Sequence, residues 1–259
     1  MKKKKVFKFL YKLIILIFII LLAYSLYHIF IWKNDNNKNK VIKENLEKYI
    51  TRDKDEKYNI DFDKLKEKNN DTVGYIKVYG TNIDYIVVKA NDNSYYLNHN
   101  FNKEKNISGW IFADYENKLD GTDKNLIIYG HNTADDSMFG SLKNILSEDW
   151  YLNKNNHKVL YIDEKGSYIY EVFSIYKIDN EEYYLKKIFN TDNDFNDFIK
   201  KIKDRSIYDF GINVDKNDNI LTLSSCANLG KKRVVLHARK IKWKNWILKS
   251  NFLLFLFLV

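Results

Sequence analysis

The chain has 259 residues, 45% of them hydrophobic and 30% charged, which supplies enough apolar material for a packed domain and excludes wholesale disorder. The absence of Pro excludes collagen-like and Pro-rich linker architectures, and a single Cys excludes an internal disulfide and any multi-cysteine zinc or iron–sulfur site. The net charge of +9 sits at the ends: of 43 basic residues, six lie in residues 1–12 and eight in residues 231–249, the remaining 29 face 34 acidic residues, and no basic face for a nucleic acid is left on the body.

Residues 1–12 are the basic segment, and Leu13–Trp32 follows it with 20 residues that carry no formal charge. That length crosses a bilayer core of roughly 30 Å as a helix. Positive flanks stay cytoplasmic, so a single-pass anchor with its N-terminus inside and everything after Trp32 outside is expected. Tyr24, Tyr27 and Trp32 suit the outer interface. A cleaved signal peptide competes with this reading, because Ala23-Tyr24-Ser25 has the small-x-small form of a cleavage site. The apolar run continues to Ile31, further than a signal peptide requires.

Residues 33–40 are polar and suit a short linker. Val41–Lys68 places Ile42, Leu46, Tyr49 and Ile50, and then Phe62 and Leu65, at helical intervals; one or two amphipathic helices are expected, with Asp61 able to cap the second. From Val73 the period changes. Val73–Val78, Ile83–Val88, Gly109–Phe112, Leu126–Tyr129, Val159–Ile162, Ile169–Ile178, Ile220–Leu223 and Arg233–Ile241 read as short strands separated by Asn, Asp and Gly turns. So many short strands suggest a closed barrel or a sandwich. Glu181–Asp209 interrupts them with Phe195, Phe198, Ile199 and Ile202 at helical spacing, so a helix is expected inside a long inter-strand excursion. Residues 41–243 make the main domain. Residues 244–259 form a tail that ends in eight apolar residues, too few to span a membrane as a helix.

Three residues stand at strand edges, where a rigid sheet can hold a side chain at a loop-lined cleft: His131 after Leu126–Gly130, Cys226 after Ile220–Ser225, and Arg233 opening the last strand. A neighbouring imidazole promotes thiolate character in a thiol and can later protonate a leaving amine. A guanidinium can hold the oxyanion of a tetrahedral intermediate. Cys226, His131 and Arg233 therefore suffice for acyl transfer at a peptide bond. Each has a plainer alternative: a packed thiol, a hydrogen-bonded histidine, and one charge of a solvated run with Lys231 and Lys232. His237 is a rival for the histidine role. Alternation puts its side chain on the face of Val235 and Arg239, which ranks it below His131. Asp135-Asp136 cannot alone supply a calcium shell. No metal and no cofactor is expected.

These residues resemble the sortases, class B. Thr222-Leu-Ser-Ser-Cys226 with Arg233 is similar to the family's TLxTC…R signature, and Tyr129-Gly-His-Asn132 to its histidine motif. Asp71–Tyr85, Tyr95–Phe101, Gly109–Tyr115 and Ser137–Leu142 follow in the order of class B, and the helix-bearing excursion before Cys226 fits that class. The resemblance spans about residues 41–241.

It implies a mainly β fold: an eight-stranded sortase barrel with N-terminal helices and a helix in the long loop before the Cys strand. It implies a membrane-anchored extracellular transpeptidase that cuts a C-terminal sorting signal of NPxTx type on surface proteins. Cys226 would form the thioester after Thr, His131 would act as acid and base, and Arg233 would clamp the oxygen. A cell-wall precursor or pilin amine would release the product. Ser224, Ser225, Leu97 and Asn93 are the implied substrate-binding residues. Ser225 stands where the family usually has Thr, Arg233 follows Cys226 by only seven positions, and Ile86 stands where Pro is common. None of these departures removes a reacting group. A cysteine endopeptidase without transfer, a pilus-assembling sortase and a non-catalytic binding domain on the same scaffold remain as alternatives; an L,D-transpeptidase is disfavoured by Ser225, where that family carries Gly.

Overall fold

The computed structural model describes residues 2–53, 57–179, 181–226 and 232–241, and side chains from residue 7 onward. It opens with one continuous helix, α1 (Lys2–Glu47). The polar stretch 33–40, expected as a linker, is helical, because Asp35, Asn36 and Asn39 bury their side chains against the domain and no Gly or Pro interrupts the turn pattern. Ile42 and Leu46 continue the same buried face.

Tyr49 and Ile50, expected on this helix, lie beyond its end. Ile50 begins a two-stranded antiparallel ribbon, β1 (Ile50–Arg52) with β2 (Tyr58–Ile60). The helix α2 (Phe62–Lys68) then starts as the sequence suggests, with the Asp61 carboxylate accepting from the Lys64 N–H and Phe62 and Leu65 buried.

Eight strands close a barrel: β3 (Thr72–Val78), β4 (Asp84–Val88), β5 (Phe112–Ala113), β6 (Asn125–His131), β7 (Lys158–Asp163), β8 (Gly166–Ile178), β9 (Ile220–Cys226) and β10 (Arg233–Lys240). The order around it is β10-β8-β7-β3-β4-β5-β6-β9, with β9 returning to β10. Two pairings are parallel, β4 with β5 and β6 with β9. The strand expected over Gly109–Phe112 is shorter and starts at Phe112, because Gly109 takes a left-handed turn (φ +54°). A short helix, α3 (Glu148–Leu152), precedes β7.

Leu221, Leu223, Val234, Leu236 and Ala238 fill the barrel with Ile76, Ile128 and Val172. The opposite face of β8, β9 and β10 is covered by the excursion 181–219. Its helix α4 (Asp192–Asp204) is capped by Thr191 and turns Phe195, Phe198, Ile199 and Ile202 onto Phe173, Tyr176, Ile178, Ile220 and Val235. Burying four such side chains contributes roughly 1.5–3 kcal/mol each before entropy is charged against it. Because both faces are covered, β9 is apolar or small throughout and buried up to Ser225.

Candidate active site

Register decides what meets at the open end of β9. β6 and β9 run parallel with His131 opposite Cys226. β9 and β10 run antiparallel with Ser224 opposite Val235, a register that sets Cys226 opposite Arg233 when carried two residues further. Residues opposite one another on paired strands project to the same face, with strands roughly 4.8 Å apart. His131, Cys226 and Arg233 thus form a row across three neighbouring strands, on the face that the excursion covers.

His131 is aimed by a backbone carbonyl. Its Nε2 lies 2.6 Å from the oxygen of Leu97, in a short 3-10 turn, Tyr95–Leu97. A carbonyl only accepts, so Nε2 carries the proton and the lone pair of the neutral ring is on Nδ1. Burial lowers the ring's pKa below its ordinary value, with the Leu97 bond opposing. Burial pushes the Cys226 thiol up to about 12, while the Arg233 charge and the Gly130 N–H act to lower it. The pair therefore rests as neutral thiol and neutral imidazole at pH 7.

Arg233 donates from Nη1 to the Tyr184 hydroxyl at 3.2 Å, and that hydroxyl lies 2.8 Å from Ser224 Oγ. Tyr184 comes from the excursion and is fully buried. Ser224 is therefore engaged behind Tyr184. Ser225 is also buried, and its Oγ accepts from the Val234 N–H at 2.8 Å, which ties β9 to β10. In this structure both hydroxyls brace the wall of the site. The short loop between Cys226 and Arg233 falls largely outside the described residues, and the tail 244–259 falls wholly outside them.

A cleft of about 550 Å³ lies between Asn93, Asp114 and Tyr129 on one side and Tyr183, Leu185 and Lys187 of the excursion on the other. Asn93 is fixed by Asp114, whose buried carboxylate also accepts from the Tyr129 hydroxyl at 2.8 Å and pairs with Lys187 at 3.1 Å. Burial alone would raise the Asp114 pKa; the Glu116 N–H, Tyr129 O–H and Lys187 bonds outweigh it and hold the carboxyl below its ordinary range. Leu97 touches the site through its carbonyl and is half-buried. Tyr129 was legible in principle, two residues before His131 on the same strand face. Asp114, Tyr184 and Lys187 sit in stretches with no periodic signal.

His237 lies away from this row. It is fully buried, with Nε2 2.8 Å from the Tyr176 hydroxyl and Nδ1 2.9 Å from Thr222 Oγ1, which in turn donates to Asn125 Oδ1 at 2.6 Å. Thr222 therefore accepts from Nδ1–H, and Tyr176 donates to Nε2. Burial lowers its pKa to about 3, so the ring is neutral and braces the sheet.

The sortase domain model matches residues 76–241. Sortase B of Listeria monocytogenes is 36% identical over 180 residues, 68% of this chain and 72% of that protein. A solved sortase B of Clostridium perfringens is 38% identical, covers 70% of this chain and all of its own, and superposes with a TM-score of 0.65. A Staphylococcus aureus sortase B–substrate complex is 30% identical, covers 82% of this chain and 95% of its own, and superposes with a TM-score of 0.66. With the closed barrel, the covered outer face and matches over two thirds of its length, the chain belongs to the sortase family, class B, and is a cysteine transpeptidase.

Proposed function

We propose that the enzyme cuts a C-terminal sorting signal of NPxTx type after its Thr and transfers the carried protein to a cell-wall amine. One observation carries the residue assignment. A cysteine transpeptidase with a single cysteine has one candidate nucleophile, and Cys226 stands in a row with His131 on β6 and Arg233 on β10, one on each neighbouring strand.

In the first step Cys226 Sγ bonds to the Thr carbonyl carbon as its proton passes to His131 Nδ1. The carbonyl oxygen takes the negative charge beside the Arg233 guanidinium. As the peptide C–N bond breaks, the His131 imidazolium protonates the leaving amine, and a thioester remains. The acceptor amine then attacks the thioester, gives its proton to His131, and expels the thiolate, which takes that proton back. Asn93, Tyr129 and the excursion residues Tyr183 and Leu185 would line the peptide's path, with Leu97 bordering it and Ser224 and Ser225 supporting the wall.

The Lys cluster before Leu13 supports an N-terminus inside the cell and a catalytic domain outside. The apolar run that continues from Ala23–Ser25 to Ile31, further than a signal peptide requires, supports an uncleaved, single-pass anchor. The test mixes the full chain in detergent micelles with NPxTx and LPxTG-type peptides, with and without triglycine, and reads products by mass spectrometry. A thioester on Cys226 and a triglycine-linked product are expected with an NPxTx peptide. Cys226→Ala is expected to abolish turnover with the fold intact, and His131→Ala and Arg233→Ala each to lose several orders of magnitude, as for groups acting as a unit. Turnover in Cys226→Ala sinks the residue assignment. Cleavage with no transfer at excess triglycine turns the reading toward an endopeptidase.

A further inference from the structure

The helix α1 does not stop where its apolar run stops. Leu13–Trp32 is the run, and the same helix continues to Glu47. Within two turns of Trp32 its side chains are already part of the domain. Asp35 accepts from the Ile107 N–H through Oδ2 at 2.9 Å and from Asn106 Nδ2 through its carbonyl at 2.9 Å. Asn39 Nδ2 donates to Asn106 Oδ1 and to the Gly109 carbonyl, both at 3.1 Å. Asn36 donates to Asp135 Oδ2 at 2.7 Å and accepts from the Ser108 hydroxyl. Asp35, Asn36, Asn39, Asn106 and Ser108 are all buried. Coverage begins even earlier: Phe30 is 69% exposed, whereas Ile31 and Trp32 are half-buried.

The heights follow from helix geometry. At about 1.5 Å per residue, Asp35 lies about 5 Å and Asn39 about 10 Å beyond Trp32 along the axis. The headgroup layer on each side of a bilayer is about 5–7 Å thick, the difference between the core and the full thickness. The loop bonded to Asp35 therefore lies at headgroup depth. It carries Ile107, an isoleucine 49% exposed, next but one to the exposed Lys105. An exposed apolar side chain beside a cation suits the boundary between headgroups and acyl chains.

We propose that the loop Lys105–Ser108 is a second membrane contact, with Ile107 seated in the bilayer that α1 crosses. This rests on reading Leu13–Trp32 as a membrane span. The occupant is the lipid surface because the loop is hydrogen-bonded to the helix within a turn of the span's end. The contact fixes the height of the active site as well, since Asp135, four residues after His131, is held by Asn36 of the same helix.

The test uses the full chain carrying Cys226→Ala, so that an introduced cysteine is the only one. Ile107→Cys, Leu21→Cys and Asn217→Cys are each labelled with an environment-sensitive fluorophore and reconstituted into phosphatidylcholine–phosphatidylglycerol vesicles containing shallow nitroxide lipids. Leu21 reports on the span. Asn217 is an exposed turn residue at the end of β6 away from His131, about 20 Å along the strand. The label at 107 is expected to shift to the blue and to be quenched several-fold more than the label at 217. Equal quenching at 107 and 217, with the label at 21 still shielded from water, overturns the contact alone. A label at 21 that stays in water overturns the span and the contact with it. A flexible Gly-Ser insertion between Trp32 and Lys33 is expected to reduce quenching at 107 several-fold; unchanged quenching overturns the role of α1 in setting the height.

Discussion

At the residue scale, Cys226 is a thiol waiting for a base. Burial moves its titration up to about 12, and Arg233 and the Gly130 N–H recover only part of that. His131 is neutral for the same reason, so it can accept the proton that Cys226 must lose. The thiolate fraction below the pKa rises about tenfold per pH unit. Iodoacetamide alkylation of Cys226 in the full chain is therefore expected to be slow at pH 7 and to keep climbing through pH 10. Arg233→Gln should move the climb to still higher pH, because the guanidinium favours the charged sulfur. A plateau near neutral pH would mean that thiolate and imidazolium already coexist at rest.

At the element scale, the Tyr95–Leu97 turn links the helix α1 to the site. Its Leu97 carbonyl orients His131, and Gly109 packs against it at φ +54°, with Asn39 of α1 on the Gly109 carbonyl. A Cβ at Gly109 would collide with the Tyr96 carbonyl oxygen and lie 2.8 Å from that of Leu97. Gly109→Ala is expected to cost at least about 1–2 kcal/mol from the left-handed backbone alone, read by chemical denaturation. It should also lower kcat beyond what the unfolded fraction explains, because the carbonyl that fixes the His131 tautomer is pushed aside. A variant that is less stable but has full kcat would show that the turn absorbs the strain without moving Leu97.

For the whole molecule, the buried chain Tyr176–His237–Thr222–Asn125 ties β8, β10, β9 and β6 together on the face beneath the excursion. His237 is neutral in the fold down to about pH 3, whereas an ordinary histidine titrates near 6.5. Between those values the unfolded chain holds one more proton, so stability falls as pH drops through this window, at up to about 1.4 kcal/mol per pH unit from this residue. His237→Gln is expected to be less stable at pH 8 and to lose part of the slope between pH 6 and 4, measured by urea unfolding. An unchanged slope would place the acid sensitivity in other groups, such as His131 and His157, whose pKa values burial also lowers.

The sequence by itself determined the apolar helix, the eight barrel strands and the helix of the excursion. These rest on local period and turn chemistry, which act within a few residues. It also singled out His131, Cys226 and Arg233, because each closes or opens a strand that the period already marks. Only the tertiary structure decided what surrounds them. The parallel register of β6 on β9 sets His131 against Cys226, and register between strands 95 residues apart leaves no local trace. Tyr184 reaches Arg233 across 49 positions, and Asp114 reaches Lys187 across 73, from stretches whose sequences carry no pattern for it. Residues 33–40 look like a linker because their side chains are polar. They are helical because the partners of Asp35, Asn36 and Asn39, 67 to 99 positions away, satisfy those polar groups in a buried seam.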